Sequence, residues 1–103
     1  LAEYLRCFSR PEAIHAACED YRASATVDMA LDAESAQAGV LVACDLMVLW
    51  GSRGVVHALF DPLALWQARC AGTVTGQALQ AGHFLAEELP DETAQHLLQF
   101  FSG

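Results

Sequence analysis

Apolar positions recur at helical spacing through the first third of the chain, run together in the middle, and return to helical spacing at the end. Residues 2–8 read as a short helical or loop segment carrying Tyr4, Leu5 and Phe8. Ser9 followed by Glu12 predicts a capping box, with Pro11 accommodated in the first turn. Ile14, Ala17, Cys18, Tyr21 and Ala25 then form one apolar stripe through a helix of about residues 10–25. Glu19 and Arg22 stand one turn apart off that stripe, close enough to pair. A second, weaker helical stretch covers 28–38 and stops at Gly39, a residue suited to the position just past a helix end.

At Leu41 the period changes. The nearly continuous apolar run 41–50 predicts a strand covered on both faces, as in a parallel sheet, closed by Gly51-Ser52-Arg53-Gly54. Asp61-Pro62 predicts a helix to about Cys70, with Asp61 as cap, Pro62 at the first position, and Leu63, Trp66 and Cys70 along its inward edge. Thr73 to Leu79 predicts a weaker strand with Gly76 at a bulge or tight packing point. A last helix near 91–101 has Ala94, Leu97, Leu98 and Phe101 as its expected buried side. The order helix, helix, strand, helix, strand, helix predicts an α/β architecture. Segments 44–50 and 73–79 should lie side by side and parallel, joined by a right-handed crossover. Two strands make a poor sheet, and a strand buried on both faces needs neighbours on both edges. The pattern therefore predicts a fragment, completed by an upstream portion or by self-association through the open strand edge.

Composition narrows the functional classes. The chain is 54% apolar and 17% charged, which excludes general disorder. Its net charge of −8 comes from 13 acids against 5 bases, every one of them arginine. An acidic body without a basic cluster argues against nucleic-acid and anionic-membrane partners. The apolar run from Gly39 to Trp50 is broken by Asp45 and is too short to span a bilayer. No basic segment leads into an apolar one as in a secretory signal, so a cytoplasmic location is expected. The 4 cysteines fall in predicted helix and strand interiors and are expected as reduced, buried thiols.

His83, in Gln80-Ala81-Gly82-His83-Phe84-Leu85, is the most informative candidate for chemistry. It follows the second predicted strand across a glycine, at the carboxyl end where open α/β sheets place their ligands. That location suits a general base. A loop histidine bonded to a backbone carbonyl is the alternative reading. His15, His57 and His96 read as surface or structural residues, and no histidine or cysteine spacing matches a metal site. Nothing calls for a cofactor. Gly51 to Gly54 lacks the spacing and lysine of a phosphate loop and reads as a tight turn, and no G-x-S-x-G elbow is present. Asp20, Asp28, Asp32, Asp45 and Asp61 supply carboxylates, but spacing assigns none of them to His83.

Three segments occur in a telling order: Cys18-Glu19-Asp20-Tyr21-Arg22-Ala23, then Val48-Leu49-Trp50-Gly51, then Gly82-His83-Phe84-Leu85 with Glu87, Glu88 and Pro90. This ordered set resembles the C-terminal part of the fluoroacetate and haloacetate dehalogenases and their close α/β-hydrolase relatives, over nearly the whole chain. The resemblance implies that residues 1–38 are the end of a helical cap and its return to the core. It likewise implies that 39–103 are the C-terminal part of the hydrolase core, holding its last two parallel strands and flanking helices. In that family an aspartate displaces halide from a small haloacid, and a histidine, matched here by His83, activates water against the resulting ester. Neither the nucleophile nor its orienting acid has a counterpart in these residues, so the chain alone is expected to be inactive. The family's halide-contacting tyrosine aligns with Thr26, a departure that leaves a general haloacid or ester hydrolase open. Trp50 and Trp66 are expected to pack rather than to bind halide. A serine esterase-like hydrolase and a non-catalytic interaction fragment are the alternative functions.

Overall fold

Proline geometry decides where the second helix starts. The computed structural model describes all of residues 1–103 and divides them into two units, Leu1–Val40 and Leu41–Gly103. In the first unit α1 spans Ala2–Phe8, α2 Pro11–Ser24 and α3 Val27–Gln37. The capping box expected at Ser9 and Glu12 does not form. Ser9 instead ends α1 with helical dihedrals, and Arg10 is the N-cap of α2 at φ −86° and ψ 137° with no side-chain cap. The pyrrolidine ring of Pro11 forces the preceding residue into this extended conformation, so the helix begins at the proline itself.

The joint between α2 and α3 is made by hydroxyls. Ser24 Oγ donates to the Asp20 carbonyl at 3.0 Å and Thr26 Oγ1 donates to the Arg22 carbonyl at 2.7 Å. Such back-bonding competes with the helical ladder at its end. At the far end of α3, Gly39 adopts φ +66°, as the sequence predicts for a residue past a helix end. Its amide bonds the Ala36 carbonyl and the Val40 amide bonds the Ser35 carbonyl at 2.9 Å, which together make a complete Schellman motif. The expected Glu19–Arg22 pair is present, and α1 carries a similar Glu3–Arg6 pair. The Arg6 guanidinium holds the Glu3 carboxyl below its ordinary value and is itself raised by it.

The second unit contains β1 (Leu46–Gly51), α4 (Val55–Leu59), α5 (Pro62–Gln67), β2 (Val74–Leu79), α6 (Leu85–Glu88) and α7 (Pro90–Ser102). The strands pair in parallel, with the register running from Leu46 opposite Val74 to Gly51 opposite Leu79. Gly76 is a tight packing point, because a Cβ there would lie 2.0 Å from the Val48 carbonyl oxygen. The predicted first strand is shorter than its apolar run. Val42 makes only an isolated parallel bridge to Cys70, and Asp45 Oδ1 then accepts the Thr73 amide at 2.8 Å where a ladder bond would otherwise fall. The same bridge takes Cys70 out of the predicted helix, so α5 ends at Gln67. Asp61 caps α5 as expected, accepting the Ala64 amide at 3.1 Å.

Three further expectations differ in their burial within these residues. All residues of β1 before Gly51 are half-buried rather than covered on both faces. In α7 the inward edge is Thr93, His96 and Phe100, whereas Ala94, Leu97, Leu98 and Phe101 are exposed. The spacing 93, 96, 100 is one helical face, held by the approach of Gln77 Nε2 to His96 Nε2 at 3.2 Å. The four cysteines are free, with Cys18 and Cys44 exposed and the other two half-buried within these residues. Complete burial is confined to the carboxyl end of the strand pair, at Gly51, Pro62, Leu79 and Ala81. Removing Leu79 from water contributes about 1.5–3 kcal/mol on ordinary transfer values. No helix is long and apolar enough to cross a membrane.

Candidate functional site

The buried carboxyl end of the sheet is also where two loops meet. β1 stops at Gly51, whose missing side chain lets the Gly82 carbonyl approach, since a Cβ at Gly51 would sit 1.8 Å from that oxygen. The turn that follows is stitched to the other loop through its amides. Ser52 N–H donates to the Leu79 carbonyl at 2.8 Å, and Arg53 N–H donates to the Ala81 carbonyl at 3.0 Å. On the β2 side the Ala81 amide closes onto the Leu79 carbonyl at 2.7 Å, a three-residue turn that sends the chain out of the strand.

His83 follows at once and is exposed. Its ring meets Phe84 edge to face, with centroids 5.0 Å apart and planes at 81°. Phe84 is 64% exposed, so it lies beside the imidazole as an open neighbour and not beneath it as a buried floor. The imidazole borders a cleft of about 690 Å³ that also takes in Trp50, Arg53, Val55, Trp66 and Gly82. The walls are therefore largely aromatic and aliphatic, with one imidazole and one guanidinium among them. Such a lining suits a small molecule with an apolar body and one polar end. Trp50 contributes more than packing, since its indole N–H donates to His57 Nδ1 at 3.0 Å.

Two residues that spacing did not single out hold this loop. Glu88 Oε2 accepts the Gly82 amide at 2.8 Å and the Arg53 guanidinium at 3.1 Å. Arg53 also donates to the Gln80 carbonyl at 2.7 Å. The Gly82 amide, and after it the Phe84 amide and the Arg53 charge, keep the Glu88 carboxyl below the ordinary carboxylate value. The available signal was opposite charge at the ends of the two strands, Arg53 after β1 and Glu88 one helical turn beyond Phe84. Asp45 and Asp61 are both engaged with backbone amides, and neither serves His83. Thr26, at the position aligned with the halide-contacting tyrosine, has its hydroxyl committed to the Arg22 carbonyl.

Parallel strands joined by a helical crossover, with a histidine loop at their carboxyl ends, are the closing elements of an α/β-hydrolase fold. Two solved structures share this arrangement. A proposed acyltransferase from Salmonella enterica matches 98% of the chain at 42% identity and a TM-score of 0.85. A proposed α/β-hydrolase from Nostoc sp PCC 7120 matches 97% at 47% identity and the same TM-score of 0.85. No protein-family model matches. Among characterised proteins, a fluoroacetate dehalogenase from Burkholderia sp is 39% identical over 102 residues, 99% of this chain. The chain corresponds to a C-terminal fragment of an α/β-hydrolase fold and is similar in sequence to a dehalogenase. It spans 33% of the length of each of these three relatives.

Proposed function

We propose that this chain supplies the histidine-bearing end of a hydrolase acting on small haloacids or esters, with His83 as the base that activates water. The observation that carries the reading is the position of His83, exposed on the loop after β2 and opening onto the cleft beside Trp50 and Trp66. In the dehalogenase-like route a carboxylate contributed from outside these residues attacks the halogen-bearing carbon, halide leaves, and an ester joins enzyme and substrate. His83 then takes a proton from water as the water oxygen attacks the ester carbonyl, which frees the hydroxyacid and restores the carboxylate. Residues 1–38 would be the end of a helical cap and its return to the core, and the likeness to a dehalogenase supports that assignment.

The upper limit on what the chain does alone follows from what it lacks. With neither nucleophile nor elbow, the 103 residues should show no turnover of haloacetate or ester above a blank. β1 pairs with one strand only, so its free edge is the place for a further strand from the remainder of the hydrolase or from a second copy. The test is steady-state hydrolysis of fluoroacetate, chloroacetate and a small ester by the protein expressed from its complete reading frame. Loss of the general base should lower turnover by about 10²–10⁴-fold in the His83→Ala variant. Turnover near that of the unsubstituted protein would return His83 to a structural role.

A further inference from the structure

We infer that Arg53 and Glu88 are a pair of positioning residues that set the aim of His83, an inference that rests on reading His83 as the base. The pair lies at the surface, with the Arg53 and Glu88 side chains 61% and 34% exposed, and exposed ion pairs contribute little to stability. What distinguishes this one is where its remaining bonds go. The guanidinium donates to the Gln80 carbonyl and the carboxylate accepts the Gly82 amide, so both ends grip the backbone of the segment leading into His83. The Arg53 amide adds a third hold on that segment through the Ala81 carbonyl at 3.0 Å. The carboxylate also lies close along this backbone, since a Cβ on Gly82 would fall 2.8 Å from Glu88 Oε1.

The consequence is directional. Arg53 belongs to the turn after β1 and Glu88 to the helix after the histidine loop, so their contact fixes the loop between two elements on opposite sides of it in sequence. Neither side chain touches the imidazole through a hydrogen bond described above. They act on it only by holding residues 80 and 82, and a small displacement there is carried through Gly82 to the ring. General-base catalysis is sensitive to such displacement, because a misplacement of about 1 Å costs on the order of 10²-fold in rate.

Two measurements test the pair, one of which needs no turnover. In the 103-residue chain, Glu88→Ala should speed hydrogen exchange at the Gly82 amide and shift the His83 ring resonances while leaving the Leu79 methyl resonances in place. Glu88→Gln keeps an acceptor oxygen and should restore most of both signals. If Glu88→Ala unfolds the chain, the Leu79 methyls will report it. Arg53→Gln, which leaves the Gly82 bond intact, then carries the comparison and should still shift the His83 ring. In the protein from the complete reading frame, Glu88→Ala should lower kcat by about 10²-fold with KM little changed. Unaltered Gly82 exchange and His83 resonances in both variants would overturn the inference. So would an unaltered kcat in Glu88→Ala when His83→Ala abolishes turnover. Should His83→Ala leave turnover intact, the functional reading fails by itself, and the resonance measurements alone decide whether the pair sets the loop.

Discussion

The two units are built on opposite terms. In Leu1–Val40 the boundaries of α2 and α3 are explained by residues a few positions away: Pro11 starts α2, Thr26 and Ser24 break the joint, and Gly39 closes α3. None of its three helices has a buried residue, and Tyr21 is 80% exposed. In Leu41–Gly103 the decisive contacts are distant in sequence, joining residues 42 to 70, 46–51 to 74–79, and 53 to 88. Complete burial occurs only there, at one end of the sheet. Local codes suffice to shape a helix, but only the long-range half holds the His83 loop in place.

The largest effect that could break this contrast is a core deletion. Leu79→Ala should cost about 2–5 kcal/mol, whereas Tyr21→Ala should stay within about 0.5 kcal/mol, as surface substitutions do. Urea denaturation followed by circular dichroism measures both. Comparable losses at the two positions would mean that the first unit carries a core of its own.

A pair of glycines gives the next contrast. Gly51→Ala must displace the Gly82 carbonyl, 1.8 Å from the new Cβ, so it should disturb the loop that carries His83. Gly39→Ala meets nothing within 4 Å and is opposed only by its φ of +66°, a cost of about 1–2 kcal/mol. Amide chemical shifts should therefore change around residues 79–84 in the first variant and only near the end of α3 in the second. A confined, α3-like response to Gly51→Ala would remove the close approach from the account.

The smallest effect concerns two carboxylates depressed for different reasons. Glu3 is lowered chiefly by a guanidinium on its own helix, and Glu88 chiefly by the Gly82 amide. For a carboxyl whose folded pKa lies below its unfolded one, the stabilisation is present above the unfolded value and is lost as pH falls through the folded value. Carbon-13 titration should place both midpoints below the ordinary glutamate value of about 4.3. Salt near 1 M, where the Debye length is about 3 Å, should move Glu3 back toward that value more than Glu88. Equal movement would show that Glu88 is held by charge and not by the loop amide.

How much of this was legible beforehand follows the same division. The parallel pairing of the two strands, the Asp61 cap and the Gly39 helix end could be read from hydrophobic run length and local chemistry. The capping box at Ser9 was misread because Pro11 outranks a side-chain cap in setting the preceding dihedrals. The inward face of α7 was misread because a stripe of Leu97, Leu98 and Phe101 says what a helix would bury, while Thr93, His96 and Phe100 are what this unit meets. Its short helices α4 and α6 were missed, having only 5 and 4 residues on which to display a period. The loop carrying His83 was placed after the second strand from sequence, but Arg53 and Glu88, 35 residues apart, declare their pairing only once the strands are aligned.

The role of His83 is tested most directly by intact-protein mass spectrometry of the His83→Ala variant, expressed from the complete reading frame and incubated with a haloacetate. If His83 activates water only after halide has left, the variant should accumulate a covalent ester while releasing no hydroxyacid. Loss of activity without any adduct would point to a serine nucleophile that needs the histidine in the first step. Hydroxyacid release at the rate of the unsubstituted protein, with no adduct, would contradict the assignment of His83 altogether.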